Sequence, residues 1–91
     1  MRKKLIKRNY QAIVKRGLIN DNTGIIDFIN KMDEELEEVK ECFYNLNNKA
    51  ALNEEVADLL NVCLNYFVFL GVDIDKQLRQ TLQKNEKRIP N

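Results

Sequence analysis

The chain contains no histidine. That removes the side chain most often used as a general base near neutral pH, and the commonest zinc ligand. It also removes the Glu-x-x-His pairs of a di-iron carboxylate bundle. Cysteine is almost as scarce. Cys42 and Cys63 are too few for a disulfide framework and form no C-x-x-C motif, so both read as buried thiols of a reducing, cytoplasmic setting. One proline and three glycines leave few helix breakers in 91 residues. No apolar run is long enough to span a bilayer. The basic start MRKKLIKR is followed by neither an apolar stretch nor a cleavage site, so no membrane partner and no signal peptide are expected.

What is present fits one small helical domain spanning residues 1–91. A chain of this length buries little more than about 60% of its unfolded surface, so its core is marginal. Net charge is only +1, but the charges are segregated. Residues 1–20 hold seven Lys/Arg and no acid, residues 21–60 eleven acids against three Lys, and residues 61–91 five Lys/Arg against three acids. The basic start offers charge for nucleic acid, but Tyr10 is its only aromatic residue; solvated helix charges account for it, and no nucleic-acid partner is expected.

The spacing predicts four helices with short loops, hence antiparallel neighbours in a small all-α bundle. The basic N-terminal helix falls within 1–20, with Leu5, Ile6, Ile13 and Val14 as its apolar face and Gly17 closing it. A second helix is predicted over 23–46, capped by Asn22 or Thr23, and a third over 50–70, opened by Asn53 or the preceding Lys-Ala-Ala. A fourth, over 73–88, is capped by Asp73 or Asp75 and stops before Pro90. The third helix is apolar almost all round, which calls for more partners than three short helices supply and favours a dimer.

The acids of KMDEELEEVKE, residues 31–41, divide on a helical projection. Glu34, Glu37 and Glu41 lie opposite the apolar stripe of Ile25, Phe28, Ile29, Met32, Leu36, Val39 and Phe43, whereas Glu35 and Glu38 sit on its shoulder. On the third helix Glu55 projects into the apolar arc, and Asp58 follows one turn later. Each i,i+3 pair has a plain alternative: a solvated acidic face for the first, compensation of the helix dipole for the second. Together, four carboxylates converging between two helices would repel one another without a cation; with one they form a Mg²⁺ cage suited to phosphoryl chemistry.

This pattern, EExxE followed after about 16 residues by ExxD, resembles the signature of the all-α NTP pyrophosphohydrolases, which include MazG, the dimeric dUTPases and phosphoribosyl-ATP pyrophosphohydrolase. The matching residues are Glu34-Glu35-Leu36-Glu37-Glu38 and Glu55-Val56-Ala57-Asp58, with Lys31 in the K-x-x-E-E context. Over roughly residues 16–88 the chain looks like the short MazG-like proteins of phages and low-GC bacteria. The resemblance implies cleavage of a (d)NTP to the monophosphate and pyrophosphate with Mg²⁺ or Mn²⁺, in a dimer or dimer of dimers. It implies Glu35, Glu38, Glu55 and Asp58 as metal ligands and a metal-activated water as nucleophile. Glu34 orients a ligand or water, and an oxygen of a motif Glu, Glu34 or Glu38, accepts the proton.

Lys31, Asn65, Lys84 and Arg88 are the expected substrate contacts. Lys31 is otherwise an i,i+4 partner of Glu35, and Lys84, Lys87 and Arg88 otherwise complement a helix C-terminus. Asn65 shares a face with Asp58 and Asn61 and is otherwise part of a polar strip. Brevity sets the chain apart from the dUTPases, whose additional helices shape a base pocket. The competing reading is a non-catalytic helical dimerisation protein with a solvated acidic face.

Overall fold

Two glycines set the main helix ends. Gly17 and Gly71 have φ of 77° and 70°, where any other residue is strained. Gly17 N–H donates to the Val14 carbonyl at 2.9 Å and Leu18 N–H to Ile13 at 3.1 Å; Gly71 N–H donates to Val68 at 3.1 Å and Val72 N–H to Phe67 at 2.9 Å. Both are Schellman closures, which satisfy carbonyls the helix leaves open. The computed structural model describes residues 2–45 and 48–90, and among these there are four helices and no strand. They are α1 (Lys3–Lys15), α2 (Ile25–Asn45), α3 (Lys49–Leu70) and α4 (Ile74–Lys87), an all-α fold as expected. The expected end of the second helix at Leu46 lies outside the described residues. The helix expected within 1–20 is shorter than that range, because the Gly17 closure ends it at Lys15.

The caps refine two boundaries. Neither Asn22 nor Thr23 caps α2. Thr23 Oγ1 accepts from Asn20 N–H at 3.0 Å and Asn20 Oδ1 from Asn22 N–H at 2.8 Å, so these side chains close the preceding turn. α2 is held from inside its first turn, where Asp27 Oδ2 accepts from Gly24 N–H at 2.8 Å. α3 starts a turn before Asn53, because Asn48 Oδ1 accepts from both Ala50 N–H (3.0 Å) and Ala51 N–H (3.2 Å). Its first turn therefore contains no acid. Glu55 and Asp58 lie deeper in the helix, out of range of the dipole effect that would otherwise explain them. Asp73 caps α4 by accepting from Lys76 N–H at 3.1 Å.

α2 and α3 pack antiparallel. Phe28, near the start of α2, meets Tyr66 edge-on at 6.2 Å and Phe69 at 4.9 Å, near the end of α3. The buried residues of α2 are Phe28, Glu35 and Cys42, spaced by seven like one seam of a coiled coil. Glu35 is thus on the packed line itself, not on its shoulder. α1 lies along α3, while α4 leaves α3 at 115° and is exposed from Lys76 onward. The radius of gyration, 15.4 Å, exceeds the roughly 12 Å of a compact domain this long.

The single chain leaves much of its expected core open. Phe28 and Cys42 are the only buried hydrophobic residues among those described, and Cys63 is only half-buried. Ile25, Ile29, Leu36 and Phe43 are exposed along one side of α2, against the expectation that they face a core, with Met32 and Val39 half-buried between them. The reason is geometric: among the described residues α2 packs chiefly against α3, which covers one line of it.

Replacing Asn48 by Ala removes the acceptor for two α3 amides and is expected to cost about 1 kcal/mol in chemical denaturation; Asp at this position stays close to wild type.

Candidate active site

The antiparallel pairing of α2 with α3 brings Glu35 opposite Glu55 and Asp58. One carboxylate oxygen from each lies within 4.8 Å of the other two. Glu35 is 7% exposed, Glu55 half-buried and Asp58 exposed, so the cluster opens outward from the seam. Glu35 Oε2 and Glu55 Oε2 are buried with no hydrogen-bond partner. Unpaired buried carboxylate oxygens are costly and call for a cation. Oxygens on opposite sides of a hard divalent ion, bonded at about 2.0–2.6 Å, stand about 4–5 Å apart. The spacing and the two orphaned oxygens fit such an ion.

The remaining acids take different places. Glu38 is exposed and outside this trio, but close to Glu35. Burial, and then the Glu38 carboxylate, raise the Glu35 pKa above the ordinary glutamate value, with Lys31 opposing. Lys31 Nζ lies 3.2 Å from Glu34 Oε2 and 3.4 Å from Glu35 Oε1. Its hydrogen bond to Glu34 is the main reason its own pKa is raised, so it stays charged. Glu34 is exposed, held to Lys31 on the outer side. Glu37 pairs with Lys40 at 3.4 Å on the solvated face.

Beside the trio runs a cleft of about 500 Å³. Its walls combine charge from Arg16, Asp27, Lys31, Glu35 and Asp58, apolar surface from Ile13, Phe28 and Val62, and the amides of Asn9 and Asn65. Asn65 is 5% exposed and accepts a hydrogen bond from Asn9 Nδ2 at 3.2 Å, so it is no solvated strip residue. Lys31, Asn65 and Asp58 all line the cleft, with Asn61 beside them. Lys84 and Arg88 do not: they sit exposed on the outward-turned α4. Two residues absent from the sequence-based site, Arg16 and Asn9, take part in its walls. Asn9 carried a signal. With Ile6 and Ile13 it occupies i, i+3 and i+7 of α1, a polar residue on the apolar face.

Paired helices that hold clustered carboxylates beside a cleft of mixed polarity are an arrangement suited to metal-assisted chemistry on phosphate esters or anhydrides. The sequence model of the phosphoribosyl-ATP pyrophosphohydrolase family matches residues 16–85. The chain belongs to that family, within the all-α MazG-like nucleotide pyrophosphohydrolase superfamily. Membership indicates a pyrophosphohydrolase that cleaves a phosphoanhydride bond of a nucleotide. No curated protein and no solved structure matches the chain.

Because the folded-state pKa of Glu35 is raised, its ionisation opposes folding when no metal is bound. Its contribution is fully favourable below the unfolded value and is lost as pH rises through the folded one. In chelator at pH 7, Glu35→Gln is therefore expected to stabilise the chain by on the order of 1 kcal/mol. The gain shrinks toward pH 4 in thermal melts.

Proposed function

We propose that the chain is a Mg²⁺-dependent nucleotide pyrophosphohydrolase converting a (d)NTP to the (d)NMP and pyrophosphate. The observation that carries this is the pair of orphaned oxygens, Glu35 Oε2 and Glu55 Oε2, inside a carboxylate trio beside the cleft. Glu35, Glu55 and Asp58 hold Mg²⁺, or Mn²⁺ in its place, and Glu38 completes the set from the exposed side. When bound, the ion neutralises phosphate charge and makes water a stronger nucleophile.

The chain's own residues do the rest. Lys31, kept charged by Glu34, attracts phosphate oxygens into the cleft it lines. Glu38 takes the proton of the attacking water, Glu34 fixing the geometry through Lys31. The water oxygen bonds to phosphorus, the α–β anhydride P–O bond breaks, and pyrophosphate leaves with that bond's electrons. Asn65, in the wall of the same cleft, contacts the base or sugar. Lys84 and Arg88 contribute to phosphate binding only if α4 of one subunit reaches the cleft of another.

The active form proposed is a homodimer or a dimer of dimers working in the cytoplasm. The exposed stripe of Ile25, Ile29, Leu36 and Phe43 on α2 and the exposed Val56 and Leu60 on α3 support it. A monomer with so little buried core is hard to stabilise. Sedimentation is expected to show a dimer or tetramer, and Leu60→Glu to shift it toward monomer with loss of thermal stability.

Pyrophosphate release is expected from at least one NTP or dNTP with Mg²⁺ or Mn²⁺. Phosphoribosyl-ATP belongs in the same panel, because the family is described by it. Glu38→Gln is expected to lower kcat by about 10²-fold or more. Asp58→Asn is expected to abolish the rise in melting temperature that Mg²⁺ gives the wild type. A chain that releases no pyrophosphate from any of these and is not stabilised by metal refutes the reading.

A further inference from the structure

Two cations line the cleft beside the carboxylate trio, Arg16 and Lys31. They differ in how much of their charge is engaged. Lys31 Nζ lies 3.2 Å from Glu34 Oε2 and 3.4 Å from Glu35 Oε1. Arg16 makes no ion pair and no side-chain hydrogen bond among the described residues, although Asp27, Glu35 and Asp58 line the same cleft. Its backbone is nonetheless fixed. Arg16 N–H donates to the Ala12 carbonyl at 3.1 Å, and the Gly17 and Leu18 amides close the turn directly after it. Leu18, Ile19 and Thr23 of the same connection also line the cleft, and the Thr23 hydroxyl accepts from Asn20 N–H at 3.0 Å. A side chain with open donors thus stands on an anchored turn in the cleft wall.

A cation at a helix C-terminus also complements the helix dipole. Lys15 does that from the last turn of α1, and it does not line the cleft. The charge of the site asks more of Arg16. Lys31 and one divalent ion are together outweighed by the carboxylates of Glu34, Glu35, Glu55 and Asp58. A nucleoside triphosphate adds about four negative charges near neutral pH. Without Arg16 the site offers such a ligand no surplus of positive charge. A guanidinium also meets phosphate oxygens with two parallel N–H donors, which an ammonium cannot do.

We propose that Arg16 is a phosphate-binding residue of this cleft, its guanidinium holding the phosphate chain of the nucleotide while Lys31 stays shared with Glu34 and Glu35. The inference rests on the nucleotide pyrophosphohydrolase reading and adds to it a substrate contact from the end of α1. Being a contact to phosphate, it is indifferent to the base.

Inorganic pyrophosphate is the probe, since it carries phosphate oxygens and no base. Its affinity in Mg²⁺ is measured by calorimetry, alongside KM and kcat for whichever triphosphates are hydrolysed. Arg16→Gln is expected to weaken pyrophosphate binding by about tenfold or more and to raise KM by a similar factor. Arg16→Lys, which keeps the charge but not the paired donors, recovers part of the loss. Lys15→Gln, one position away and off the cleft, leaves both quantities at their wild-type values. Equal weakening by Arg16→Gln and Lys15→Gln means that only the general field of α1 acts, and that result overturns the inference. So does an Arg16→Gln protein that matches the wild type. Either result leaves the enzymatic reading intact. If Arg16→Gln does not fold, Arg16→Lys decides: weakening by about threefold or more supports the inference, and wild-type binding overturns it. Where pyrophosphate binds too weakly to measure, KM decides by the same criteria. Arg16-dependent pyrophosphate binding in a chain that hydrolyses no nucleotide supports the inference and refutes the enzymatic reading. A wild type that neither binds pyrophosphate nor hydrolyses any nucleotide overturns both.

Discussion

A carboxylate sits where a hydrophobic residue would normally pack. Glu35 occupies the middle of the buried line of α2, between Phe28 and Cys42, each seven residues away. The neighbouring positions make the seam: Phe28 locks onto Tyr66 and Phe69, and Cys42 is sealed at the other end. Between them Glu35 is desolvated, and Glu55 arrives from α3 with a second unpaired oxygen. Lys31 offsets one of these charges at 3.4 Å and leaves the rest uncompensated. A buried ionic group with an incomplete set of partners weakens a small domain. In this chain the weakness coincides with the point where a cation would act.

The cleft grows from the same seam. Its lining includes Glu35 and Asp58 of the carboxylate trio and the Phe28 ring that anchors α2 to α3. One residue therefore serves the packing of the helix pair and the wall of the proposed binding site. The third wall comes from α1, which has no buried residue of its own and meets α3 through Asn9 and its apolar neighbours. Two faces of the helix pair remain bare, and α4 turns away from both. The proposed oligomer gives those surfaces an occupant of matching character.

Much of this was legible in the sequence, for identifiable reasons. Helix ends written in glycine or in aspartate at an N-cap, such as Gly17, Gly71 and Asp73, are local signals that tertiary structure did not override. The start of α2 was misplaced because the Thr23 hydroxyl, with the Asn20 side chain, closes the turn before it instead of capping the helix. Periodicity separated Glu35 from Glu37 and Glu41, since burial follows helical phase. It did not distinguish Glu35 from Glu38, because phase gives direction on one helix but not the line a second helix will cover. Glu38 remains exposed for that reason. Arg16 went unread because its place depends on how α1 lies against α3, a long-range fact with no local signature, and the one local sign at Asn9, a polar residue on the apolar face of α1, did not say what it would meet. Lys84 and Arg88 raise the converse difficulty: proximity in charge type said nothing about the 115° bend that carries them away.

The spacing of Phe28, Glu35 and Cys42 makes this fold tolerant of one kind of genetic change and intolerant of another. Substitutions on the outer face of α2 leave the phase of the helix untouched. A single inserted or deleted codon between Phe28 and Cys42 rotates everything beyond it by about 100°. Such a change cannot keep the ring contacts and the carboxylate in the seam together.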